Sequence, residues 1–594
     1  MIDRTTKLRW RRNIRRKQRQ LEDIGSQTEE SLDRHFFRRL GRLYEVRMFI
    51  ISWLLLVIFL IGLTVVQTRS LGKYYQTTKP LPGGIYSEGI VGSFTNANPI
   101  FATSEVDTSV SRLLFSSLLT YNSDNQLTGD LAKSVTSDPT GKIYTVVLNK
   151  NVTWQDGTPL TVDDVVFTYQ TIQNPDVKSP FFSSWQGIKV EASDSNTITF
   201  TLPNTLASFM HSLTTGVLPK HLLATTQPSS LRSALFNTIQ PVGSGPFKWH
   251  SVEVKGSSAD DREQRVSLTP YEGYYKGEPK LGEFVIRTFL NETQMIKSFN
   301  NGELTAMAGV QDLSDDLKKD LSINQYNIPV TGAVMAFFNN TNSILSDVQV
   351  RRALISATNQ SEVLEILSYP SIAVKSPFLH GMLGYDSGVV QRPYNLSEAN
   401  SILDAAGWAR SSNGIRMKDG KKLSISLNTL NNIEYASVAS QLKEQWSKAG
   451  VEVNVSSLEQ ADLQNAIMSR SYGVLLYGIS LGLDPDQFAY WHSSQADVRA
   501  TRRLNFSNYS SKTADAALEA GRTRLDPSLR AAKYKPFLEA WRDDAPALAI
   551  YQPRFLYVSR GPVFNFKERT INTPSDRFAN VQNWMIRTER VTND

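Results

Sequence analysis

The strongest hydrophobic pattern in the chain is one uninterrupted apolar run near its N-terminus. Residues 48–66 contain no charged side chain, and as a helix they would extend about 28 Å, enough to cross a bilayer core. Because the run is apolar on every face, it does not resemble the amphipathic helix of a soluble protein. The pattern predicts one transmembrane helix, which divides the chain into two parts that face different compartments.

Beyond residue 84 the chain alternates between the two-residue period of strands and the 3.6-residue period of helices. Residues 161–172 begin as a helix with a capping box, in which Thr161 and Asp164 satisfy the first backbone N–H groups. This alternation predicts an α/β fold in which helices cover sheets. Further predicted elements are strands at 143–148, 197–202 and 451–455, and helices at 396–407 and 438–450 that close at Gly407 and Gly450.

The positive charge of the chain is concentrated in residues 1–47. Fourteen Lys and Arg against seven Asp and Glu give this tail a net charge of +7, so the rest of the chain is balanced. Basic flanks stay on the cytoplasmic side, which predicts a cytoplasmic tail and an extracellular or periplasmic large part. The basic run 9–19 is interpreted as a topology signal that also contacts anionic lipid; no nucleic-acid binding is expected. Residues 31–43 predict a helix lying on the inner leaflet.

A cleaved signal peptide is the main alternative for the apolar run. Signal peptides have a short basic end and an apolar stretch of about 7–15 residues, whereas 47 residues precede this run. An uncleaved membrane anchor is therefore predicted, followed by a stalk over residues 67–84. The chain has no cysteine, which excludes disulfides, a thiolate nucleophile, a cysteine-based zinc site and a cysteine-linked lipid anchor.

Five sequence blocks occur in the order typical of one protein family. They are Trp154-Gln-Asp-Gly-Thr-Pro-Leu with Asp163-Asp164-Val165, Gly243-Ser-Gly-Pro-Phe, Tyr274-Tyr-Lys-Gly-Glu-Pro, Phe338-Asn-Asn with Asp347-Val-Gln-Val-Arg-Arg-Ala-Leu, and Tyr394 through Trp408. On these blocks, residues 85–570 resemble the dipeptide/oligopeptide-type solute-binding proteins of ABC importers, bacterial extracellular solute-binding protein family 5. Within them, Gly243 and Gly245 are expected to adopt backbone torsions that a Cβ would resist.

The resemblance implies a two-lobed, periplasmic-binding-protein-like fold of type II with an extra subdomain, preceded by the transmembrane helix. Lobe 1 would comprise residues 85–328 and 550–594, and lobe 2 would comprise residues 329–549. The chain would cross between the lobes near residues 327–333 and 547–552. The ligand would lie buried between the lobes, as is usual for clefts at domain interfaces.

The segment 471–491 is the most informative candidate for ligand contact. In peptide-binding relatives the similar segment ends a strand and carries an Asp that pairs with the peptide's α-amino group. Leu481 stands at that position here and cannot form a charge-assisted bond. Three possibilities remain: Asp484 or Asp486 takes over the role, the ligand lacks a free amine, or Asp484-Pro-Asp486 only forms a turn in which Asp486 caps the next helix.

The other predicted ligand contacts are aromatic or polar. Tyr477, Tyr490 and Trp491 either line the pocket or belong to the core. The remaining members of the predicted set are Ser480 on the same segment, Asn339 at the start of lobe 2, and Asn96, Asn98 and Phe101 in a loop similar to the family's first cleft loop.

The sequence contains no catalytic motif, and its six histidines are scattered. No enzymatic activity, metal or cofactor is expected. The leading hypothesis is a membrane-tethered protein that captures oligopeptides or similar solutes and passes them to ABC permease subunits. Two alternatives remain open: a receptor that signals through its cytoplasmic tail, and an extracytoplasmic peptide chaperone that uses the same cleft.

Overall fold

The described residues form two separate units. One unit is Leu81–Arg587, and the other consists of the described residues at the two chain ends. Residues 12–22 are helical and exposed, whereas the predicted helix at 31–43 lies outside the described residues. The structure is a computed structural model that describes residues 12–22, 47–256, 258, 262–497, 499–500 and 503–592.

The apolar run lies within one long helix, Arg47–Tyr75. Its segment Ile51–Arg69 is long and apolar enough to span a membrane, by length and composition. The helix continues through residues 67–75, where the sequence predicts a stalk, because this stretch contains no proline and only one glycine to stop it. The strand Gln76–Leu81 follows directly and pairs with Arg587–Thr592.

A seven-stranded mixed sheet combines the first half of the large unit with its C-terminal part. Its central strand Ile85–Val91 is parallel to Glu283–Phe289 and to Ala306–Val310. A separate four-stranded antiparallel sheet contains both predicted early strands, which are confirmed as Ile143–Leu148 and Thr197–Thr201. The order of the large sheet is Ile323–Pro329, Arg554–Arg560, Ala306–Val310, Ile85–Val91, Glu283–Phe289, Glu263–Pro270 and Phe247–Lys255, and that of the small one is Ala132–Ser137, Ile143–Leu148, Thr197–Thr201 and Lys189–Ala192.

A six-stranded sheet organises the middle of the chain around the strand Gly332–Phe338. Every residue of this strand is buried, because alternate side chains enter two different cores. Val334, Ala336 and Phe338 pack into one hydrophobic cluster, and the residues between them pack into another. The strand order is Ile372–Ala373, Ala547–Gln552, Gly332–Phe338, Val474–Ser480, Ser424–Leu430 and Glu452–Leu458.

The chain passes between the two large sheets at two adjacent points. The first crossing joins Pro329 to Gly332, inside the predicted range, and the second lies at Pro553, one residue beyond the predicted range. The Val330 N–H donates to the Pro553 carbonyl over 3.0 Å, so the crossings support each other. The assignment of residues to two lobes stays a prediction.

The predicted signals for helix ends are confirmed. Thr161 and Asp164 form a capping box on the helix Val162–Gln173, and Gly407 and Gly450 follow their helices with positive φ. The remaining α-helices are Glu105–Leu114, Phe182–Trp185, Phe209–Ser212, Lys220–Leu223, Glu292–Asn300, Asp315–Lys319, Val348–Ser356, Gln360–Glu365, Leu396–Ala405, Ile433–Lys448, Gln460–Ser469, Phe488–Trp491, Lys512–Arg522 and Pro527–Asp544. Shorter 3-10 helices are Pro175–Val177, Pro228–Ser233, Leu235–Asn237, Ser493–Gln495, Pro574–Phe578 and Val581–Asn583.

Gly243 and Gly245 are glycines for a different reason from the predicted one. Neither has the positive φ that favours glycine. Instead, a Cβ at Gly243 would lie 1.8 Å from the Leu114 carbonyl oxygen, and one at Gly245 would lie 2.6 Å from the Leu114 carbonyl carbon. The Gly245 N–H donates to that carbonyl over 2.7 Å. The two glycines therefore permit the end of the helix Glu105–Leu114 to approach the turn closely.

Candidate functional site

The strand Val474–Ser480 carries the segment 471–491 to the first crossing between the sheets. The N–H groups of Leu481 and Gly482 both donate to the Thr331 carbonyl, over 2.9 and 3.2 Å. The Thr331 hydroxyl donates to Asn572 Oδ1 over 2.9 Å. Thr331, which lies between the two sheets, thus connects the end of a strand in the six-stranded sheet to a loop near the C-terminus.

Leu481 is a core residue. Only 5% of its surface is exposed, and it belongs to the hydrophobic cluster on one face of the six-stranded sheet. Its carbonyl accepts from the Gln487 side-chain amide over 3.0 Å. Because its main chain is bonded and its side chain is buried, Leu481 offers no polar group to a ligand.

A first cavity, which we call the Arg112 cavity, has a volume of about 240 Å³ and adjoins this segment through Asn572. A Cβ at Gly482 would lie 3.8 Å from Asn572 Oδ1. The wall combines the first loop of the large unit, the helix Glu105–Leu114 and the loop 572–576. Its informative lining residues are Pro99, Arg112, Tyr121, Phe181, Asn572 and Asp576.

A second cavity of about 590 Å³ contains three of the predicted ligand contacts. Tyr477, Ser480 and Tyr490 line it together. The Tyr490 hydroxyl donates to the Ser480 carbonyl over 2.8 Å, and the Tyr477 ring packs edge-on against Phe506 at 5.8 Å between centroids. The aromatic rings thus give this cavity an apolar wall, and the Tyr490 hydroxyl adds a polar group to it. Solute pockets commonly combine the two.

The turn 484–486, which we call the acidic turn, contains two aspartates, and each of them forms an ion pair with an arginine. Asp484 accepts two hydrogen bonds of 2.6 Å from Arg530, a bidentate pair in which both side chains are largely buried. Asp486 lies 3.2 Å from Arg522 and accepts from the Phe488 N–H over 3.3 Å. Burial raises the pKa of Asp486, with Arg522 opposing that rise. The turn therefore combines two carboxylates with two guanidinium groups.

Residues 207–211, from the first half of the chain, contact this turn directly. His211 Nε2 lies 3.5 Å from Asp484, and Ser208 Oγ lies 3.4 Å from Asp486. The Ala207 N–H donates to the Arg522 carbonyl over 2.9 Å. These contacts join the part built around the seven-stranded sheet to the part built around the six-stranded sheet, beside the Arg112 cavity.

The Arg112 cavity and the acidic turn are linked through one histidine. His211 Nδ1 is 2.8 Å from the hydroxyl of Tyr121, which lines the cavity. Burial lowers the pKa of His211 from its usual 6.5, Asp484 opposes this shift and Arg530 reinforces it. The imidazole is therefore neutral at neutral pH. A neutral ring can bond both partners only if one nitrogen donates and the other accepts.

Acidification is expected to lower the stability of the folded state through His211. Because the folded pKa of His211 is lowered, the folded state resists protonation, and its stability falls as pH drops below the usual histidine pKa. The groups that face His211 are Tyr121, Asp484 and Arg530. We expect the melting temperature to fall between about pH 7.5 and about pH 5.5, and to fall less in His211→Asn.

The exposed His250 provides the matched control for this prediction. The variant His250→Asn should keep the full pH dependence of the parent protein. Equal pH dependence in His211→Asn and the parent would contradict a role for His211.

The first loop of the large unit is internally bonded. The Asn96 carboxamide oxygen accepts from the Asn98 N–H over 2.8 Å, and the Asn98 amide donates to Asn237 over 3.0 Å. Phe101 is buried beneath the guanidinium of Arg232, 5.3 Å from the ring centroid. These three predicted residues shape the loop that places Pro99 and Ala102 on the cavity wall.

Two further predicted residues lie inside the fold. The Asn339 side chain donates to the carbonyls of Arg470 and Tyr472 and accepts from Thr341, which fixes the loop after a central strand. Trp491 is fully buried, with its ring 5.8 Å from the Trp541 ring. The ligand-binding role of Asn339 and Trp491 stays a prediction.

Sequence reasoning missed the residues that form most of the Arg112 cavity. Arg112 sits on an ordinary helix, and Asn572 comes from a loop far along the chain. A local signal was available for Asp576, because Thr573 and Asp576 form a capping box. This capping box predicts that a helix starts here, but it does not predict that Asp576 lines a cavity. Within the part of the chain that the structure describes, no group of three or more His, Asp or Glu could hold a metal ion.

Comparisons with known proteins agree with this architecture. Residues 126–500 match the family model of bacterial extracellular solute-binding proteins, family 5. The oligopeptide-binding protein AppA of Bacillus subtilis is 27% identical over 515 residues, which cover 84% of this chain and 92% of AppA.

Solved structures of relatives have the same fold. The structure of Bacillus subtilis AppA in complex with a nonapeptide is similar with a TM-score of 0.68 and 25% identity, covering 86% of this chain and all of AppA. NikZ from Campylobacter jejuni in complex with Ni(L-His) is similar with a TM-score of 0.70 and 25% identity, covering 84% of this chain and 99% of NikZ. The predicted α/β periplasmic-binding-protein fold is confirmed.

The family match extends over more than half of the chain and includes the segment 471–491. The family binds solutes and is not enzymatic, which agrees with the absence of catalytic motifs from the sequence. This chain belongs to family 5 of the bacterial extracellular solute-binding proteins.

Proposed function

We propose that this protein is a membrane-tethered solute-binding protein that captures oligopeptides or similar solutes between two lobes and delivers them to an ABC importer. The single observation that carries the proposal is the Arg112 cavity beside the crossing at Thr331, where residues 207–211 meet the acidic turn. The wall of this cavity belongs to the predicted lobe 1, and its residue Asn572 accepts from the Thr331 hydroxyl at the crossing, so a solute held there lies at the edge of lobe 1 that borders the crossing. Movement of lobe 2 toward this edge would couple binding to closure.

The peptide class is supported by the relatives. AppA is named an oligopeptide-binding protein, and its solved structure contains a nonapeptide. The second cavity supports the same class, because Tyr477 and Tyr490 offer aromatic surface to side chains and Ser480 adds a polar residue to its wall. The nickel chelate of NikZ is a second ligand class among the relatives. The described residues of this chain contain no metal-ligand group that favours it.

The tether is proposed from the N-terminal region. The helix Arg47–Tyr75 follows a tail with a net charge of +7, and positive flanks stay cytoplasmic. The large unit then lies outside the cell, held close to permease subunits in the same membrane. We expect the full chain to stay with washed membranes at high salt and alkaline pH and to require detergent for release. Release of a shortened chain that begins after the helix would instead indicate a cleaved signal peptide.

Native mass spectrometry of the full chain in mild detergent tests the proposed binding. We expect a retained solute or a ladder of peptide masses, because a closed cleft releases its ligand slowly. The variant Thr215→Trp, which places a large ring in the Arg112 cavity, should lose the bound mass. Thr136→Trp, on an exposed strand position, is the control and should keep it. Identical bound masses in both variants would exclude the Arg112 cavity as the solute site.

A further inference from the structure

The side chain of Glu105 ends in a buried oxygen that has no partner. Glu105 is the first residue of the helix Glu105–Leu114 and is half-buried as a whole. Its Oε1 atom is shielded from solvent, and no hydrogen bond from the described residues reaches it. Buried carboxylate oxygens normally accept hydrogen bonds or pair with a cation, because burial without a partner is costly. The oxygen therefore lacks a partner that the described part of the chain does not supply.

The charged groups that act on Glu105 leave one negative charge uncompensated. They are Arg577 and Glu88, which form a completely buried ion pair with 2.5 Å between Arg577 Nη2 and Glu88 Oε1. Arg577 Nη1 donates to the Pro574 carbonyl, and its Nε has no hydrogen-bond partner among the described residues. One guanidinium thus faces two carboxylates. Burial raises the pKa of Glu105, Arg577 opposes this rise and Glu88 reinforces it.

The space beside this carboxylate is open because residue 309 is a glycine. A Cβ on Gly309 would have three nearest neighbours, which are the two carboxylate oxygens of Glu105 and a ring carbon of Phe555, each at 3.4 Å. An atom therefore fits between the carboxylate and the aromatic ring without a clash. A carboxylate next to an aromatic ring is a favourable environment for a cationic nitrogen, since both attract positive charge.

Glu105 lies at the edge of the seven-stranded sheet where open α/β sheets bind ligands. The strand Ile85–Val91 is parallel to both of its neighbours, Glu283–Phe289 on one side and Ala306–Val310 on the other. Ligands bind outside the carboxyl ends of such strands, where the connections change direction. Gly309 is the penultimate residue of its strand, and the helix that carries Glu105 follows the carboxyl end of Ile85–Val91.

The same helix forms part of the wall of the Arg112 cavity. Thr108 and Arg112 line the cavity, and they follow Glu105 by three and seven positions, so the three residues share one face of the helix. Side chains three positions apart on a helix lie about 5–6 Å from each other at their Cβ atoms. A group that extends from the cavity by about one helical turn therefore reaches the Glu105 carboxylate.

On this basis we propose that Glu105 binds a cationic nitrogen of the solute, an ammonium or guanidinium group, and that the protein prefers solutes that carry such a group. Leu481 cannot form a charge-assisted bond, so the carboxylate comes from the first half of the chain instead. The inference rests on the proposed function, because it specifies the solute of the same cleft. The nitrogen belongs either to the α-amino group of a peptide or to a basic side chain, and the probes below separate these two sources.

Four tripeptides place a cationic nitrogen at the N-terminus, in the central side chain, at both positions or at neither. They are Ala-Ala-Ala, N-acetyl-Ala-Lys-Ala, Ala-Lys-Ala and N-acetyl-Ala-Ala-Ala. Calorimetric titration of the full chain in mild detergent, freed of bound solute, should show weakest binding of N-acetyl-Ala-Ala-Ala, by about tenfold against the best cationic form. Preference for Ala-Ala-Ala indicates the α-amino group, and preference for N-acetyl-Ala-Lys-Ala indicates the side chain. Equal binding of all four peptides would overturn the inference.

Variants of Glu105 test whether the preference originates there. Glu105→Gln should bind the four peptides about equally, whereas Glu105→Asp should retain part of the preference. Because glutamine carries no charge to bury, Glu105→Gln should keep the melting temperature of the parent protein. Glu272→Gln, at an exposed position, is the control and should keep the full preference. A Glu105→Gln protein that still discriminates as the parent does would exclude Glu105 as the site of the cation.

The solute that the chain retains on purification distinguishes failure of this inference from failure of the proposed function. Tandem mass spectrometry of the released solute should identify a molecule with a basic nitrogen, and Glu105→Gln should retain less of it. A retained solute without a basic nitrogen would overturn the inference and leave the proposed function standing. A chain that retains no solute and binds none of the four tripeptides would contradict both.

Discussion

Replacing Gly243 with alanine is expected to prevent stable folding of the large unit. The new Cβ would lie 1.8 Å from the Leu114 carbonyl oxygen and 2.6 Å from its carbonyl carbon, and both of these atoms are backbone. A flexible side chain could move away from such a clash, but here a helix end must shift. The Gly245 N–H would then lose its bond to the same carbonyl. We expect a loss of more than about 3 kcal/mol in the free energy of unfolding.

Urea unfolding followed by circular dichroism measures this loss, and the soluble yield gives a first indication. Gly388→Ala is the matched control. Gly388 also lacks a positive φ, and its new Cβ would meet only the Asp386 side chain, at 3.2 Å. The control should differ from the parent protein by less than about 1 kcal/mol. A Gly243→Ala protein with the unfolding midpoint of the parent would contradict the close approach seen at Leu114.

Local features of the fold could be predicted from sequence because they depend on neighbouring residues. The capping box at Thr161 and Asp164 joins positions three apart, and the glycines after the helices Leu396–Ala405 and Ile433–Lys448 stop them directly. The alternation in residues 143–148 likewise reports a strand that is buried on one face. Such signals need no knowledge of the rest of the chain.

Contacts between residues that lie far apart in the sequence give no comparable local signal. Glu88 and Arg577 form a completely buried ion pair, bonded over 2.5 Å, although 489 positions separate them. Tyr557 donates to the same glutamate over 2.7 Å. Each residue looks like an ordinary polar position in its own segment. Only the return of the C-terminal part to the seven-stranded sheet brings them together.

The candidate site shows the same limit. The segment 471–491 and the leucine at position 481 can be recognised from the sequence, because both lie within one continuous stretch of chain. The sequence leaves open whether Asp484 is available to a ligand. The answer depends on Arg530, which lies on the helix Pro527–Asp544 and reaches the turn from outside the segment. The wall of the Arg112 cavity, with Arg112 and Asn572, depends on packing between distant segments.

Replacing Asp484 with asparagine is expected to cost about 3–5 kcal/mol in the free energy of unfolding, because it leaves the charge of Arg530 buried without a partner. Arg530 is 6% exposed and Asp484 is 13% exposed, so water cannot compensate fully. The change also removes the carboxylate that His211 faces at 3.5 Å. We therefore expect weaker retention of bound solute, measured by native mass spectrometry, together with the lower stability measured by urea unfolding.

The double variant Asp484→Leu, Arg530→Leu separates the two effects. Replacing both charges with apolar groups removes the buried pair without leaving a lone ion, and such replacements are often close to neutral for stability. Most of the lost stability should return, whereas solute retention should stay low because His211 still lacks its partner. Asp497→Asn breaks an exposed pair with Arg499 and, as the control, should leave the unfolding midpoint close to that of the parent protein. Full recovery of solute retention in the double variant would show that Asp484 acts only through stability and takes no part in closing the cleft.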